Sequence, residues 1–370
     1  MMELFERWNA GVMPDRYKSA DYRDLAERVE EIKRRFGARL FLPGHHYQKD
    51  EVIRFADASG DSLQLAQIGA KNREAEHIVF LGVHFMAETA DILSSGRQAV
   101  LLPDLRAGCS MADMADRHQT ERCWQALTEE YGDTIVPITY VNSTAAIKAF
   151  VGRHGGATVT SSNAAALLRW AWERKKRILF LPDQHLGRNT AFGMGVKRSE
   201  MAVWDPLAHE LKRDAEGAAD DVRLILWKGH CSVHQNFTPE HVRAIRRDDP
   251  DRRVIVHPEC SFEVVQAADE AGSTGSIIKA LEASPPGSRW AVGTEMNLVN
   301  RLKRSLPDRD IVSLNPQMCP CLTMNRIDLP HLAWALDELD QGRLVNRIQV
   351  DAQIAEDAKL ALNRMLELFP

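Results

Sequence analysis

The sequence lacks any apolar run long enough to cross a bilayer as a helix. It also lacks a basic excess: 47 Lys and Arg stand against 52 Asp and Glu, a net charge of −5, so there is no electrostatic footprint for nucleic acid. Cysteine is scarce, six in 370 residues, and the six are scattered, which excludes the disulfide framework of a small secreted domain. The opening residues, Met1-Met2-Glu3-Leu4-Phe5-Glu6-Arg7, have neither the basic start nor the apolar centre of a signal peptide. The expectation is a cytoplasmic protein with reduced cysteines and neither nucleic acid nor membrane as partner. Its length exceeds one typical core and suits two or three domains.

What the sequence does contain is a cysteine after each of three apolar runs. Ala99–Pro103 leads to Cys109, Val222–Trp227 to Cys231, and Asp310–Leu314 to Cys319-Pro320-Cys321. Spaced roughly a hundred residues apart, they suggest three similar units, each aiming one thiolate at a common point. For one such cysteine, burial as a small hydrophobe is the commoner use; three at matched strand ends reverse those odds. Structural zinc prefers four ligands in closely spaced pairs, and only Cys319 and Cys321 are close. An iron–sulfur cluster tolerates widely separated thiolates, and three ligands leave one iron open as a Lewis acid. Cys123 lies in a helical pattern (Gln119–Glu130) and reads as packing, while Cys260 adjoins a polar cluster without an assigned role.

The rest of the chain repeats strand, polar cluster, helix. The first domain is expected over residues 1–133, with strands at Arg39–Leu42 and His77–Val83 ending in Gly44-His45-His46-Tyr47-Gln48 and His84-Phe85-Met86-Ala87-Glu88. The second, 134–250, opens with Thr134–Tyr140, where Pro137 argues for a strand start or edge; the glycine-rich Gly187–Gly195 reads as loop, followed by an acidic, alanine-rich stretch to Asp221. The third, 251–370, carries Arg253–Val256 before His257-Pro258-Glu259-Cys260 and ends in two helices. The pattern is that of α/β domains with parallel sheets, whose ligands lie beyond the carboxyl ends of the strands.

The polar clusters sit at those ends. His45, Tyr47, Tyr140, His257 and Glu259 offer the titratable groups that proton removal and dehydration need, although each alone is more often structural. Ser62, Ser161 and Thr274 stand where helices open; plain N-capping is the commoner use, and carboxylate or phosphate binding is the functional alternative.

Taken together, Gly44-His45-His46-Tyr47-Gln48, Gly60-Asp61-Ser62-Leu63, Ala107-Gly108-Cys109-Ser110-Met111-Ala112, Tyr140-Val141-Asn142-Ser143, Thr160-Ser161-Ser162-Asn163, Gly229-His230-Cys231-Ser232-Val233-His234, His257-Pro258-Glu259-Cys260, Gly293-Thr294-Glu295 and Cys319-Pro320-Cys321-Leu322-Thr323-Met324-Asn325 closely resemble the quinolinate synthase family in its longer form. The resemblance covers nearly the whole chain. It implies three similar α/β/α domains with small parallel sheets around a pseudo-threefold axis, the site at the centre. It implies a [4Fe–4S] cluster held by Cys109, Cys231 and one of Cys319 and Cys321. The implied reaction condenses iminosuccinate with dihydroxyacetone phosphate to quinolinate, phosphate and water in NAD biosynthesis. Substrate contacts carried over by motif are His45, Ser62, Tyr140, Val141, Asn142, Ser161, His257, Pro258, Glu259 and Thr274. Tyr140, Glu259, His257, Tyr47 and His234 are the implied catalytic group. A monomer or homodimer, with transient contact to aspartate oxidase, completes the expectation. Rival readings are another hydro-lyase with an open iron, an iron–sulfur sensor, and a zinc hydrolase.

Overall fold

The computed structural model describes residues 11–94, 96–214 and 222–368. The chain is α/β, and its parallel sheets follow one another along the sequence. They form two compact units, Met1–Cys109 with Pro320–Asp351, and Ser110–Cys319 with Ala352–Pro370.

In the first unit, Leu40–Phe41, His77–Val79 and Ala99–Leu101 pair in parallel, and Arg347–Ile348 returns antiparallel at the edge beside Ala99–Leu101. Past Leu42 the chain forms a second short strand, Pro43–His45, parallel to Ala58–Gly60, which carries His45 beyond the main sheet. Helix Tyr22–Phe36 begins where Asp21 accepts from the Arg23 amide and ends at Gly37 with φ +55°. Its buried Leu25, Ala26, Val29 and Ile32 recur at helical spacing and form its apolar stripe. On its polar side Arg28 pairs with Asp337 at 2.6 Å and Asp340 at 3.0 Å, both on helix Leu329–Asp340.

The second unit holds a six-stranded sheet in the order Glu210–Arg213, Met201–Asp205, Leu224–Trp227, Arg177–Leu181, Ile135–Tyr140, Ala157–Val159. All pairs are parallel except the outermost hairpin, Met201–Asp205 with Glu210–Arg213. It also holds a four-stranded parallel sheet, Glu270–Ala271, Arg253–Val256, Arg289–Gly293, Asp310–Ser313. The C-terminal helix Ala352–Leu368 packs on Ala145–Arg153 so closely that a Cβ on Gly152 would stand 1.9 Å from the Asp357 carbonyl oxygen.

Three readings of this unit change. Ile135–Tyr140 is an interior strand despite Pro137. The ladder to Ala157–Val159 begins only at Ile138, so the missing proline N–H falls outside that ladder. Gly187–Gly195 is not loop: Gln184–Gly193 is a helix, capped by Asp183 accepting from the His185 amide at 2.8 Å. Gly187 is glycine for closeness, since a Cβ there would meet Leu226 at 2.6 Å and Phe180 at 2.8 Å. Part of the acidic stretch before Asp221 pairs as strand Glu210–Arg213, and its remainder, 215–221, lies outside the described residues.

Candidate active site

The polar clusters leave the sheets where parallel strands end. In the first unit His45 is buried, and its Nδ1 accepts from the Tyr47 amide at 3.1 Å. Their rings meet edge to face with centroids 4.7 Å apart. His84 and Glu88, both buried, stand one helical turn apart with 3.7 Å between Nδ1 and Oε1. Ser62 is the first residue of helix Ser62–Lys71, but the cap is its neighbour: Asp61 accepts from the amides of Leu63 and Gln64.

The second unit brings four expected residues together. Glu259 is buried two residues after His257, just past strand Arg253–Val256. Its Oε2 lies 2.7 Å from His234 Nδ1, and Tyr140, at the end of its own strand, hydrogen-bonds the same carboxylate. His234 and His257 stack with centroids 4.5 Å apart, and the Glu259 amide donates to His257 Nδ1 at 3.3 Å. An ionised carboxylate only accepts, so His234 donates to it from Nδ1, and the ring's Nε2 is hydrogen-bonded with the Thr294 hydroxyl at 3.2 Å.

The surroundings set the charges. Burial pushes His257 down to about 3; the Glu259 carboxylate opposes this, and His234 adds to it. Burial pushes Glu259 up, but the two imidazoles and the hydrogen bonds from His234 and Tyr140 outweigh it, and its carboxyl ends below the usual range. Asp183 goes the other way: burial first, then the Glu259 charge, hold it well above its ordinary value. Its Oδ2 is buried and has no hydrogen-bond partner among the described residues. The two carboxyl groups are thus pushed in opposite directions, Glu259 toward its ionised form and Asp183 toward its neutral one.

Around this centre, Val141 is buried and Asn142 half-buried, with its Oδ1 buried and unpartnered among the described residues. The Lys148 ammonium, fully buried, donates to the Ser143 carbonyl and fixes the turn after Tyr140. Ser161 is half-buried in the turn before helix Ala164–Trp172. Thr274 begins helix Thr274–Ala283, yet Ser273 is the cap, accepting from Ser276. Capping thus falls to Asp61 and Ser273, not to Ser62 and Thr274. Pro258 is half-buried, its carbonyl held by Asn189.

The cysteines fall into two kinds. Cys123 and Cys260 are fully buried, and burial pushes both thiols up. Cys109, Cys231 and Cys321 are half-buried, and Cys319 is exposed. A 3-10 helix begins three residues after each half-buried cysteine: Ala112–Met114, His234–Asn236 and Met324–Arg326. The amides of Gln235 and Asn325 close the same turn on the carbonyls of Cys231 and Cys321, each at 3.0 Å. Ser110, next after Cys109, donates to Ser232, next after Cys231, at 3.3 Å. Cys231, His234 and Glu259 also offer ligand atoms within 4.8 Å of one another.

Asp183, Asn189 and Lys148 went unnoticed as site residues because the helix of the first two was masked by its glycines. An aspartate before a run of helix formers was the available signal. No helix among the described residues is long and apolar enough to cross a membrane.

A buried carboxylate–imidazole pair with a phenol, at the carboxyl ends of parallel strands, defines an α/β enzyme of the acid–base class, with soft thiols at neighbouring strand ends. A family model described as Quinolinate synthetase A protein matches residues 27–367. The chain is 67% identical over 356 residues to quinolinate synthase of Geobacillus kaustophilus, covering 96% of each chain. It is 64% identical over 354 residues to that of Anoxybacillus flavithermus and 62% over 356 to that of Bacillus anthracis, again covering 96% of each. The chain belongs to the quinolinate synthetase A family.

Proposed function

We propose that this chain condenses iminosuccinate with dihydroxyacetone phosphate to give quinolinate, phosphate and water, in the making of NAD. The observation that carries the reading is the buried Glu259–His234 pair with Tyr140 on the same carboxylate, in a chain of this family.

Glu259, ionised and two-fold hydrogen-bonded, is the base that takes a proton from the nucleophilic carbon. His234 donates its Nδ1–H to the carboxylate as a hydrogen bond, which orients it and favours its ionised form. Tyr140 donates to the same carboxylate and serves as the acid for a departing hydroxyl. His257 stays neutral at working pH, since burial keeps it from charging; its ring packs against His234 and limits where that imidazole can turn. Asn142 Oδ1 and the hydroxyls of Ser161 and Thr274 suit hydrogen bonding to substrate carboxylates and amines.

The donor set fits an iron–sulfur cluster. Thiolates are the soft ligands that such clusters take. The half-buried Cys109, Cys231 and Cys321 share one local turn, whereas Cys123 and Cys260 are held as neutral thiols. We assign Cys109, Cys231 and Cys321 as ligands of a [4Fe–4S] cluster and leave exposed Cys319 outside it. When bound, a cluster with an open iron supplies Lewis-acid assistance to the loss of water.

The test is anaerobic turnover with both substrates, measuring quinolinate and phosphate together. Equal amounts of the two products are expected. Dehydration of a hydroxy-diacid with no phosphate released would replace this reading with a hydro-lyase.

A further inference from the structure

Helix Gln184–Gly193 has one polar side chain with an unusual pair of partners. Asn189 is buried, and its Nδ2 lies 2.8 Å from the Pro258 carbonyl oxygen and 2.8 Å from the Cys260 carbonyl oxygen. Both partners are acceptors, so the atom is the amide nitrogen and each of its hydrogens is spent on one carbonyl. Those two carbonyls bracket the dipeptide Glu259-Cys260. We propose that Asn189 is a positioning residue: by fixing the peptide before Glu259 and the one after Cys260, it sets where the Glu259 carboxylate meets His234 and Tyr140.

The helix is well placed to act as a rigid arm. Asp183 caps its first turn. Gly187 lets it lie against Phe180 and Leu226 of two adjacent strands. At its far end Phe192 meets Phe262 edge to face, centroids 4.9 Å apart, on the short helix Phe262–Ala267 that follows the Glu259 loop. Asn189 thus joins a strand-anchored helix to the loop at the point where the catalytic side chain leaves it. Fixing Nδ2 onto the two carbonyls restricts the backbone torsions of Glu259 and Cys260 between them, so the Glu259 side chain starts from one direction. Without Asn189 the loop keeps its apolar anchor at Phe262 and folds, but the carboxylate wanders. A displacement of about 1 Å in a catalytic group costs up to about 100-fold in rate.

The inference rests on the acid–base role proposed for Glu259, and the test separates the two. Asn189→Ala, Asn189→Asp, Glu259→Gln and the double variant Asn189→Ala/Glu259→Gln are assayed as holoenzymes with both substrates. Asn189→Asp keeps the size of the side chain while turning the donor into an acceptor, and so stands in should the alanine variant not fold. The expected result is a fall in kcat of about 30- to 100-fold for either Asn189 variant, with KM for each substrate within about threefold. In the Glu259→Gln background, removing Asn189 changes the residual rate by less than about twofold, because the group it positions is already gone. Amide hydrogen exchange at Glu259 and Cys260 speeds up while strand Arg253–Val256 stays protected. Full kcat in the Asn189 variants, or an equal further loss in the Glu259→Gln background, overturns the positioning role. Wild-type turnover in Glu259→Gln alone overturns the reading of Glu259 beneath it.

Discussion

The loop after strand Leu224–Trp227 and the loop after strand Arg253–Val256 are built alike, yet they present their cysteines in opposite ways. Cys231 is half-buried and followed at once by a 3-10 turn that carries His234 inward. Cys260 is fully buried, its Sγ 3.8 Å from the Gly293 carbonyl oxygen. Burial, and then the Glu259 charge, keep the Cys260 proton in place. One loop thus offers a thiol that can become a ligand. The other buries its thiol as filler beside His257 and Glu259, the residues proposed for proton chemistry. A strand followed by a cysteine is therefore no sufficient sign of a ligand; what surrounds the sulfur decides.

This contrast is most exposed to substitution at the sulfurs. Cys231→Ser and Cys321→Ser should lose iron and all measurable turnover, whereas Cys260→Ser and Cys319→Ser should keep both. Iron analysis beside an activity assay reads this directly, and iron retained in Cys231→Ser would remove the distinction. Next in size is Glu259→Gln, which should keep its iron while turnover falls about 10²- to 10⁴-fold, the range for a lost general base. Iron content and kcat would then separate the two loops by what each supplies.

Acid should find the buried loop. His257 titrates near 3 and His185 near 4 in the folded chain, both pushed down first by burial from an ordinary 6.5. The unfolded chain therefore binds more protons over that interval. The stability these groups contribute is complete above pH 6.5 and drains as pH falls toward 4 and 3. Each adds a slope of about 1.4 kcal/mol per pH unit within its own interval. Urea midpoints measured from pH 7 to pH 4.5 should decline, and His257→Asn should flatten that decline. An unchanged slope in the variant would mean that His257 does not titrate as its burial dictates. The smallest effect is expected from Cys260→Ala: a loss of about 1 kcal/mol from a small cavity beside Gly293, with iron and kcat unchanged.

Much of this was legible in the sequence. Apolar runs ending in His-Pro-Glu-Cys or Gly-His-Cys announce strands and the polar clusters past them, and Cys123 in a helical pattern reads correctly as packing. Pairing was not legible. His234 and Glu259 lie on different loops, and only folding brings Nδ1 to Oε2. The His84–Glu88 pair shows the contrast, because its spacing of one helical turn is visible in the string of letters. Gly187 misled for a physical reason: glycine signals freedom in a loop and close approach in a packed helix, and composition alone does not distinguish them. The C-x-C at Cys319 and Cys321 was ambiguous as letters. A 3-10 turn follows Cys321 at the same distance as after Cys109 and Cys231, and the proposed assignment of Cys321 leans on that likeness.

The account is tested most directly by counting iron and acid-labile sulfide in anaerobically purified protein, beside the same count in Cys231→Ser and Cys260→Ser. The predicted result is about four of each per chain in the parent and in Cys260→Ser, and almost none in Cys231→Ser. Zinc in place of iron, or a full complement surviving in Cys231→Ser, would contradict it.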